Sequence, residues 1–150
     1  MELRQATLAD SATIADFNTA LAKESENLTL DPKVVRPGVE AVLRDPSRGI
    51  YFAACEGTQL IGVLMITYEW SDWRNGNFWW LQSVYIHPAF RSKGVFKSLF
   101  AYVSDQAQKN PEVCGIRLYV ENHNNSAQEV YHRLGLKRTE YQVLERLLPR

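Results

Sequence analysis

Hydrophobic residues recur along this chain with a helical period in some stretches and with a strand period in others. After a short strand predicted over 3–6, Ile14, Phe17 and Leu21 lie three or four positions apart. Residues at that spacing share one side of a helix, so this stretch predicts an amphipathic helix. Residues 7–10 precede it with the spacing of a capping box, in which Asp replaces the usual Glu.

A second helix is predicted to begin at Asp31 and Pro32, because aspartate caps helices and proline fits the first helical turn. Pro37 and Gly38 follow inside the same stretch, and both residue types disfavour a helix interior. We therefore expect the steady part of this helix to run only over 39–44.

Three consecutive segments are predicted to form an antiparallel meander. Apolar, β-branched and aromatic residues dominate the segments 50–55, 59–70 and 77–87. Asn75 followed by Gly76, between the second and third segments, is a dipeptide typical of hairpin turns. The third segment is expected to be the central strand of the sheet.

The remaining chain predicts a helix over 95–109, a strand over 115–121, a helix over 124–134 and a last strand over 136–147. The order of elements is therefore β-α-α-β-β-β-α-β-α-β. Such an order predicts an α/β, or α+β, layer fold with a mixed sheet and packed helices. A length of 150 residues suits one domain with one core, which we assign to 1–150.

The composition is ordinary for a globular protein, with 45% hydrophobic and 23% charged residues. Because the formal net charge is zero, we expect no nucleic-acid partner. No apolar run reaches the length of a membrane span, and the N-terminus lacks the apolar core of a signal peptide. Cys55 and Cys114 lie in apolar strand segments without metal-ligand spacing, so we expect no metal site, buried free thiols and a cytoplasmic location.

The segment after the meander combines positive charge, a glycine and the start of a helix. It consists of Arg91, Ser92, Lys93, Gly94, Val95, Phe96 and Lys97. The first N–H groups of a helix lack partners within the helix, and the helix dipole adds partial positive charge there. The glycine lets the backbone approach a ligand. The residues alone therefore predict a phosphate or pyrophosphate site, which a generic phosphate-binding regulatory domain would also have.

The spacing Arg91-x-x-Gly94-x-Phe96, after a strand ending at Ile86, resembles the acetyl-CoA signature of the GNAT N-acetyltransferase superfamily. Phe96 departs from that signature, which has a small residue at this position. The resemblance implies the GNAT fold with its mostly antiparallel sheet, acetyl-CoA as the acetyl donor and an amine as the acceptor. It places the pyrophosphate on the loop 91–97. It places the pantetheine arm along Ser83, Val84, Tyr85 and Ile86.

A second motif lies near the C-terminus and resembles a later motif of the same family. The residues that match it are Asn124, Ala127, Tyr131, Leu134 and Gly135, with Leu136 where the family has Phe. The resemblance implies that Asn124 lies against the CoA arm and that Tyr131 protonates the leaving thiolate. A phenol can make that donation, although a tyrosine on a helix is more commonly a core aromatic.

Acetyl transfer to an amine also needs an N–H donor for the oxyanion and an acceptor for the proton of the amine. A distortion of the central strand near Val84 would supply the donor. Members of the resembled family often carry Glu or His on this strand, but residues 79–81 here are Trp, Trp and Leu. Glu69, Glu24, Glu26 or a water could therefore be the base. We rank Glu69 first, because its two aromatic neighbours could make the carboxylate more basic.

All four tryptophans lie within eleven positions around one predicted hairpin: Trp70, Trp73, Trp79 and Trp80. They fit either the core or a homodimer contact, or a pocket that holds an amine against aromatic rings.

The favoured function is an acetyl-CoA-dependent N-acetyltransferase that acts on a small-molecule amine or a peptide amine. The alternative is a non-catalytic acyl-CoA-binding sensor or regulatory module, which the missing base on the central strand and Phe96 would fit.

Overall fold

The computed structural model describes residues 1–150. The chain divides into two compact units, Met1–Tyr119 and Val120–Arg150, which are described separately. The first unit holds β1 (Glu2–Gln5), α1 (Ser11–Glu26), α2 (Pro32–Arg44), β2 (Ile50–Glu56), β3 (Gln59–Ser71), β4 (Gly76–Ile86), α3 (Val95–Lys109) and β5 (Val113–Leu118). The second unit holds α4 (Asn125–Arg133). That 1–150 is a single domain stays a prediction.

The five strands of the first unit form one sheet in the order β1-β2-β3-β4-β5. Neighbouring strands pair antiparallel from β1 to β4, whereas β5 runs parallel to β4. The α3 helix lies in the crossover connection that such a parallel pair requires. The predicted fold class is thus confirmed, because the sheet is mixed, mostly antiparallel and flanked by helices.

Helices cover both faces of the sheet. Alternate residues of a strand point to opposite faces, so one strand can supply side chains to both helical layers. Tyr51 and Val63 belong to the buried cluster that α1 and α2 form with one face. On the other face, the ring of Phe52 lies 5.9 Å from that of Tyr102 on α3 and 6.3 Å from that of Trp79, measured between centroids. The sheet therefore contributes to a separate apolar layer on each side.

Polar residues fix the start of α1. The backbone N–H of Thr7 donates to Asp10 Oδ2 at 2.7 Å, which is one bond of the predicted capping box. The Arg4 guanidinium on β1 donates to both oxygens of the same carboxylate, at 2.8 and 3.1 Å. These hydrogen bonds, above all those from Arg4, lower the pKa of Asp10. The first strand and the first helix are therefore joined through one carboxylate.

The predicted break in the second helix is wrong, because α2 runs continuously through Pro37 and Gly38. As predicted, Asp31 caps this helix by accepting a hydrogen bond from the Lys33 N–H at 2.9 Å. A proline inside a helix removes the hydrogen bond from its own nitrogen to the carbonyl four residues earlier. That carbonyl belongs to Lys33, which lies in an exposed first turn where water can bond to it. The loss is therefore too small to end the helix.

The last predicted strand, over 136–147, is not formed, since the residues after α4 adopt neither helix nor strand. The prediction rested on apolar residues, yet Tyr141, Leu144 and Leu147 are 74%, 91% and 80% exposed. A strand persists only where a neighbouring strand completes its hydrogen bonds, so an apolar pattern alone does not form one.

The two cysteines are free but differ in burial. Cys55 is buried on β2 as expected, whereas Cys114 is exposed, against the prediction, because β5 lies at the edge of the sheet.

No helix combines the length and the apolar character needed to cross a membrane. No three His, Cys, Asp or Glu side chains are grouped so that they could hold a metal ion.

Candidate functional site

The strand β4 contains a β-bulge. In its register with β3, Gln82 pairs with Met65, whereas Tyr85 pairs with Val63. Across this step β4 has one residue more than β3, and Ser83 has the left-handed φ of 51°. The distortion expected in the central strand is therefore present. A bulge interrupts the ladder, so peptide groups here can be directed at a bound acyl group.

The loop after β4 turns sharply into α3. Gly94 is the N-cap of α3 with φ 78°, and Ser92 has φ 62°. A Cβ on Gly94 would meet no atom within 4 Å, so the glycine is needed for its backbone conformation and not for space. The exposed residues of this loop and helix start are Arg91, Ser92, Lys93, Gly94 and Lys97. The start of α3 thus presents backbone N–H groups beside basic side chains, an arrangement that suits a phosphate group.

A glycine of β3 lets the start of α3 pack closely against the sheet. Val95 is buried, and a Cβ on Gly62 would lie 3.3 Å from its side chain and 2.7 Å from that of Ile86. The half-buried ring of Phe96 lies 6.0 Å from the ring of Phe100, one helical turn later. The bulky residue that departs from the family signature is therefore accommodated along the side of α3.

Three contacts join Arg91 to two other elements. Its Nε donates to the carbonyl oxygen of Ile86 at 2.9 Å, and its Nη2 pairs with Glu24 Oε2 on α1 at 2.9 Å. Its guanidinium carbon lies 5.2 Å from the centroid of the Tyr85 ring. The Tyr85 hydroxyl donates to the other oxygen of Glu24 at 3.2 Å. Burial, helped by the Glu24 carboxylate, raises the pKa of Tyr85, so this hydroxyl keeps its proton at neutral pH.

A second carboxylate, Glu69 on β3, lies on the sheet face that carries Tyr85. It is opposite residues of β4 that precede the bulge. Its Oε1 accepts hydrogen bonds from Trp80 Nε1 at 2.8 Å and from Arg117 Nη1 at 3.1 Å. Glu69 thus reaches position 80 of β4 from the neighbouring strand. In the family that the sequence motifs resemble, the base often lies near this position of the central strand.

Aromatic rings surround this second carboxylate. Arg117 lies over the ring of Phe78, with its guanidinium carbon 3.6 Å from the centroid. The Trp80 ring packs on Tyr119 with centroids 4.4 Å apart. The carboxylate, the guanidinium and the three rings form a polar and aromatic patch at the β3, β4 and β5 end of the sheet.

The structure separates the four tryptophans. Trp79 is buried on the face that packs against α3, whereas Trp80 is half-buried on the opposite face beside Glu69. Trp70 and Trp73 are 58% and 87% exposed. The four rings therefore do not form one pocket, and one of them contacts a candidate catalytic group.

The residues of the later motif build the two ends of α4 in the second unit. Asn124 caps the helix, with its Oδ1 accepting from the Ala127 N–H at 3.2 Å. At the other end, the Leu136 N–H donates to the Tyr131 carbonyl at 3.0 Å and Gly135 has φ 93°, the pattern of a Schellman cap. Tyr131 is half-buried, and burial raises the pKa of its phenol.

The sequence did not point to Arg117 or Tyr119 as site residues. The alternation of the strand predicted over 115–121 places them together on one face, but it does not show which neighbour they meet. The parallel register aligns Trp80 with Arg117, and this long-range pairing carried no local signal.

The chain matches the sequence profile of the acetyltransferase (GNAT) family over residues 14–136. A search of curated proteins finds no match. Among solved structures, a possible acetyltransferase from Clostridium difficile 630 is 42% identical to this chain, with a TM-score of 0.94. That match covers 99% of this chain and 98% of the other.

Two more distant structures share the fold. A predicted acetyltransferase from Clostridium acetobutylicum, solved with acetyl-CoA, is 18% identical with a TM-score of 0.78, over 96% of this chain and 95% of that one. A ribosomal-protein-alanine N-acetyltransferase from Brucella melitensis biovar Abortus 2308 is 15% identical with a TM-score of 0.78, over 98% and 100% of the two chains. At these identities the likeness extends to the fold alone.

Proposed function

Because the chain belongs to the GNAT acetyltransferase family, whose acetyl donor is acetyl-CoA, we propose that it acetylates a primary amine by direct attack of the amine on the thioester. The observation that carries the proposal is the bulge at Ser83, followed along the chain by the glycine turn into α3 at Gly94. A bulge can direct an N–H at a developing oxyanion, and a helix start can bind a pyrophosphate.

The residues present fit acetyl-CoA. Those proposed to line the pantetheine arm are Ser83, Val84, Tyr85 and Ile86. Those proposed to hold the phosphates are Arg91, Ser92, Lys93, Gly94, Val95, Phe96 and Lys97. The exposure of this loop and its left-handed turn at Gly94 support that assignment. Asn124 is proposed to lie against the CoA arm, by the resemblance of its motif.

Tyr131 is proposed as the acid that protonates the leaving thiolate. A general acid must carry its proton at the working pH. Burial raises the pKa of Tyr131 above the ordinary 10.0 of a tyrosine, so the phenol is protonated at neutral pH. The proton that Tyr131 donates would be replaced from solvent after each turnover.

Glu69 is proposed as the group that takes the proton of the attacking ammonium, through water. Its support is its place beside position 80 of β4, on the sheet face that carries Tyr85. Its hydrogen bonds from Trp80 and Arg117 hold the carboxylate in one orientation. The same bonds occupy lone pairs, so a water relay suits this residue better than direct contact with the amine.

The test is thiol release from acetyl-CoA with a panel of small-molecule and peptide amines. Tyr131→Phe should lower turnover roughly 100-fold while leaving acetyl-CoA binding unchanged, because it removes only the phenolic proton. In the parent, activity should persist into alkaline pH and fall only above about pH 10, since a raised pKa keeps the acid protonated for longer.

The matched control is Tyr141→Phe, which removes the hydroxyl of a 74% exposed tyrosine in the same unit and should keep the parent rate. A Tyr131→Phe variant as active as the parent at every pH would refute the acid assignment. Saturable acetyl-CoA binding without turnover on any amine would favour the alternative, a non-catalytic acyl-CoA-binding sensor or regulatory module.

A homodimer and a cytoplasmic location remain predictions. The exposed tryptophans Trp70 and Trp73 support the dimer, because large exposed apolar side chains often mark interfaces. Sedimentation of the purified protein would decide the oligomeric state.

A further inference from the structure

We infer that Glu24 is a positioning residue for acetyl-CoA: it fixes the Arg91 guanidinium at the start of the loop 91–97, which is proposed to hold the phosphates, and so ties α1 to that loop. The inference deepens the proposed function and rests on it. It assigns a role to a carboxylate that the sequence alone left among the candidate bases.

The Arg91 side chain has a backbone anchor and a side-chain anchor. The carbonyl of Ile86 holds its Nε at 2.9 Å, and Glu24 holds its Nη2 at 2.9 Å. The side chains of Arg91 and Glu24 are 44% and 46% exposed, so packing alone does not restrain them. A long exposed side chain loses rotamer entropy when it is held for a ligand, and a hydrogen-bond acceptor that already holds it reduces the loss on binding.

The other oxygen of Glu24 is bound to the strand. It accepts the Tyr85 hydroxyl, and the Tyr85 ring lies 5.0 Å from the ring of Phe17 on α1. Tyr85 directly follows the bulge in the register with β3. One carboxylate thus bridges the strand that carries the bulge and the loop that would hold the phosphates, and both of its oxygens have donors.

Two other roles for Glu24 make different predictions. If it accepted the proton of the amine, Glu24→Gln would reduce turnover severely. If its charge mainly repelled the phosphates, removing that charge by any substitution would tighten acetyl-CoA binding. A positioning role needs an acceptor oxygen and not a charge, so Gln should substitute for Glu in acetyl-CoA binding whereas Ala should not.

The experiment measures the dissociation constant of acetyl-CoA by calorimetric titration, which needs no amine acceptor. Glu24→Ala should weaken binding about fivefold, and Glu24→Gln should stay within about twofold of the parent in both binding and turnover. Asp16→Ala, which removes an exposed carboxylate from the same helix, should leave binding unchanged.

A double-mutant cycle tests whether Glu24 acts through Arg91. Glu24→Ala should have no further effect in an Arg91→Ala background, because the guanidinium that it positions is gone. Equal effects in both backgrounds, or binding by Glu24→Ala equal to that of the parent, would overturn the inference. A parent protein that binds no acetyl-CoA would instead refute the proposed function. Thermal unfolding of each variant distinguishes a local effect from misfolding.

Discussion

Glu24 and Glu69 lie on the same face of the sheet, the first near the residue after the bulge of β4 and the second near the residues before it. Their partners differ in kind. Glu24 binds the Arg91 guanidinium at the start of the loop 91–97, whereas Glu69 binds an indole and a guanidinium of the sheet itself. Position therefore separates the proposed positioning residue for acetyl-CoA from the proposed base.

Glu69→Gln should lower turnover by roughly 100-fold and leave the affinity for acetyl-CoA unchanged, because the amide keeps the hydrogen-bond acceptor but takes no proton. Steady-state kinetics with a reactive amine would measure this. Asp72→Asn, which alters an exposed carboxylate in the following turn, is the matched control and should behave as the parent. Unchanged turnover in Glu69→Gln would refute Glu69 as the group that takes the proton.

For single residues, the sequence showed which ones lie in short motifs but not which side chains they contact. Arg91 and Gly94 could be found because loop, glycine and helix start follow one another in the chain. The pairing of Arg91 with Glu24 joins residues 67 positions apart, and that of Arg117 with Glu69 joins residues 48 apart. Contacts at such separations depend on the packing of whole elements and leave no local pattern.

The start of α3 is the element on which the proposed donor site most depends. Gly94→Ala should weaken acetyl-CoA binding about tenfold, because φ 78° strains any residue with a Cβ and the turn would shift to relieve the strain. Calorimetric titration would measure the affinity, and thermal unfolding would measure the accompanying loss of stability.

Gly57→Ala is the matched control for this turn. Gly57 has φ 59° in the turn between β2 and β3, and a Cβ there would also meet no atom within 4 Å. The substitution should cost similar stability but leave acetyl-CoA binding unchanged. If both variants bind alike, the turn at Gly94 does not shape the donor site.

Elements with a clear pattern could be predicted from the sequence, and elements whose stability depends on context could not. The bounds of α3 agree with the prediction, because its apolar period and its flanking Gly94 and Asn110 act locally. The helix α2 continues through Pro37 because the lost hydrogen bond lies in an exposed turn. The apolar pattern over 136–147 forms no strand, because a strand also needs a neighbour.

At the scale of the whole molecule, the ion pair between Arg4 and Asp10 makes the free energy of unfolding depend on pH. The folded state lowers the pKa of Asp10 below its ordinary 3.8. A group with a depressed pKa contributes stability above that ordinary value and loses it as the pH falls through the folded value. Asp10→Asn should therefore reduce the free energy of unfolding by about 1 kcal/mol at pH 7.

Urea denaturation at pH 7 and near pH 3 would measure this difference, which should shrink as the acid protonates Asp10 in the parent protein. Asp16→Asn, on the exposed side of α1, should show no such pH-dependent difference. A deficit in Asp10→Asn that is the same at both pH values would exclude the ion pair as its cause.

The overall fold class could be predicted because element order and chain length leave few ways to layer five strands and their helices. The sequence did not predict the division into Met1–Tyr119 and Val120–Arg150, because such a division depends on how many contacts cross a boundary. It also could not give the register of β4, in which one extra residue is accommodated.

That extra residue changes the parity of the strand. Up to Gln82, the even-numbered residues of β4 share a face with Glu69, and beyond Ser83 the odd-numbered Tyr85 takes their place. Counting by strict alternation would put Trp80 and Tyr85 on opposite faces of the sheet. A regular strand with the same residues and no bulge would turn Tyr85 and all that follows it in the strand to the other side, away from α1. The bulge of β4 is therefore as much a part of the site as the identity of its residues.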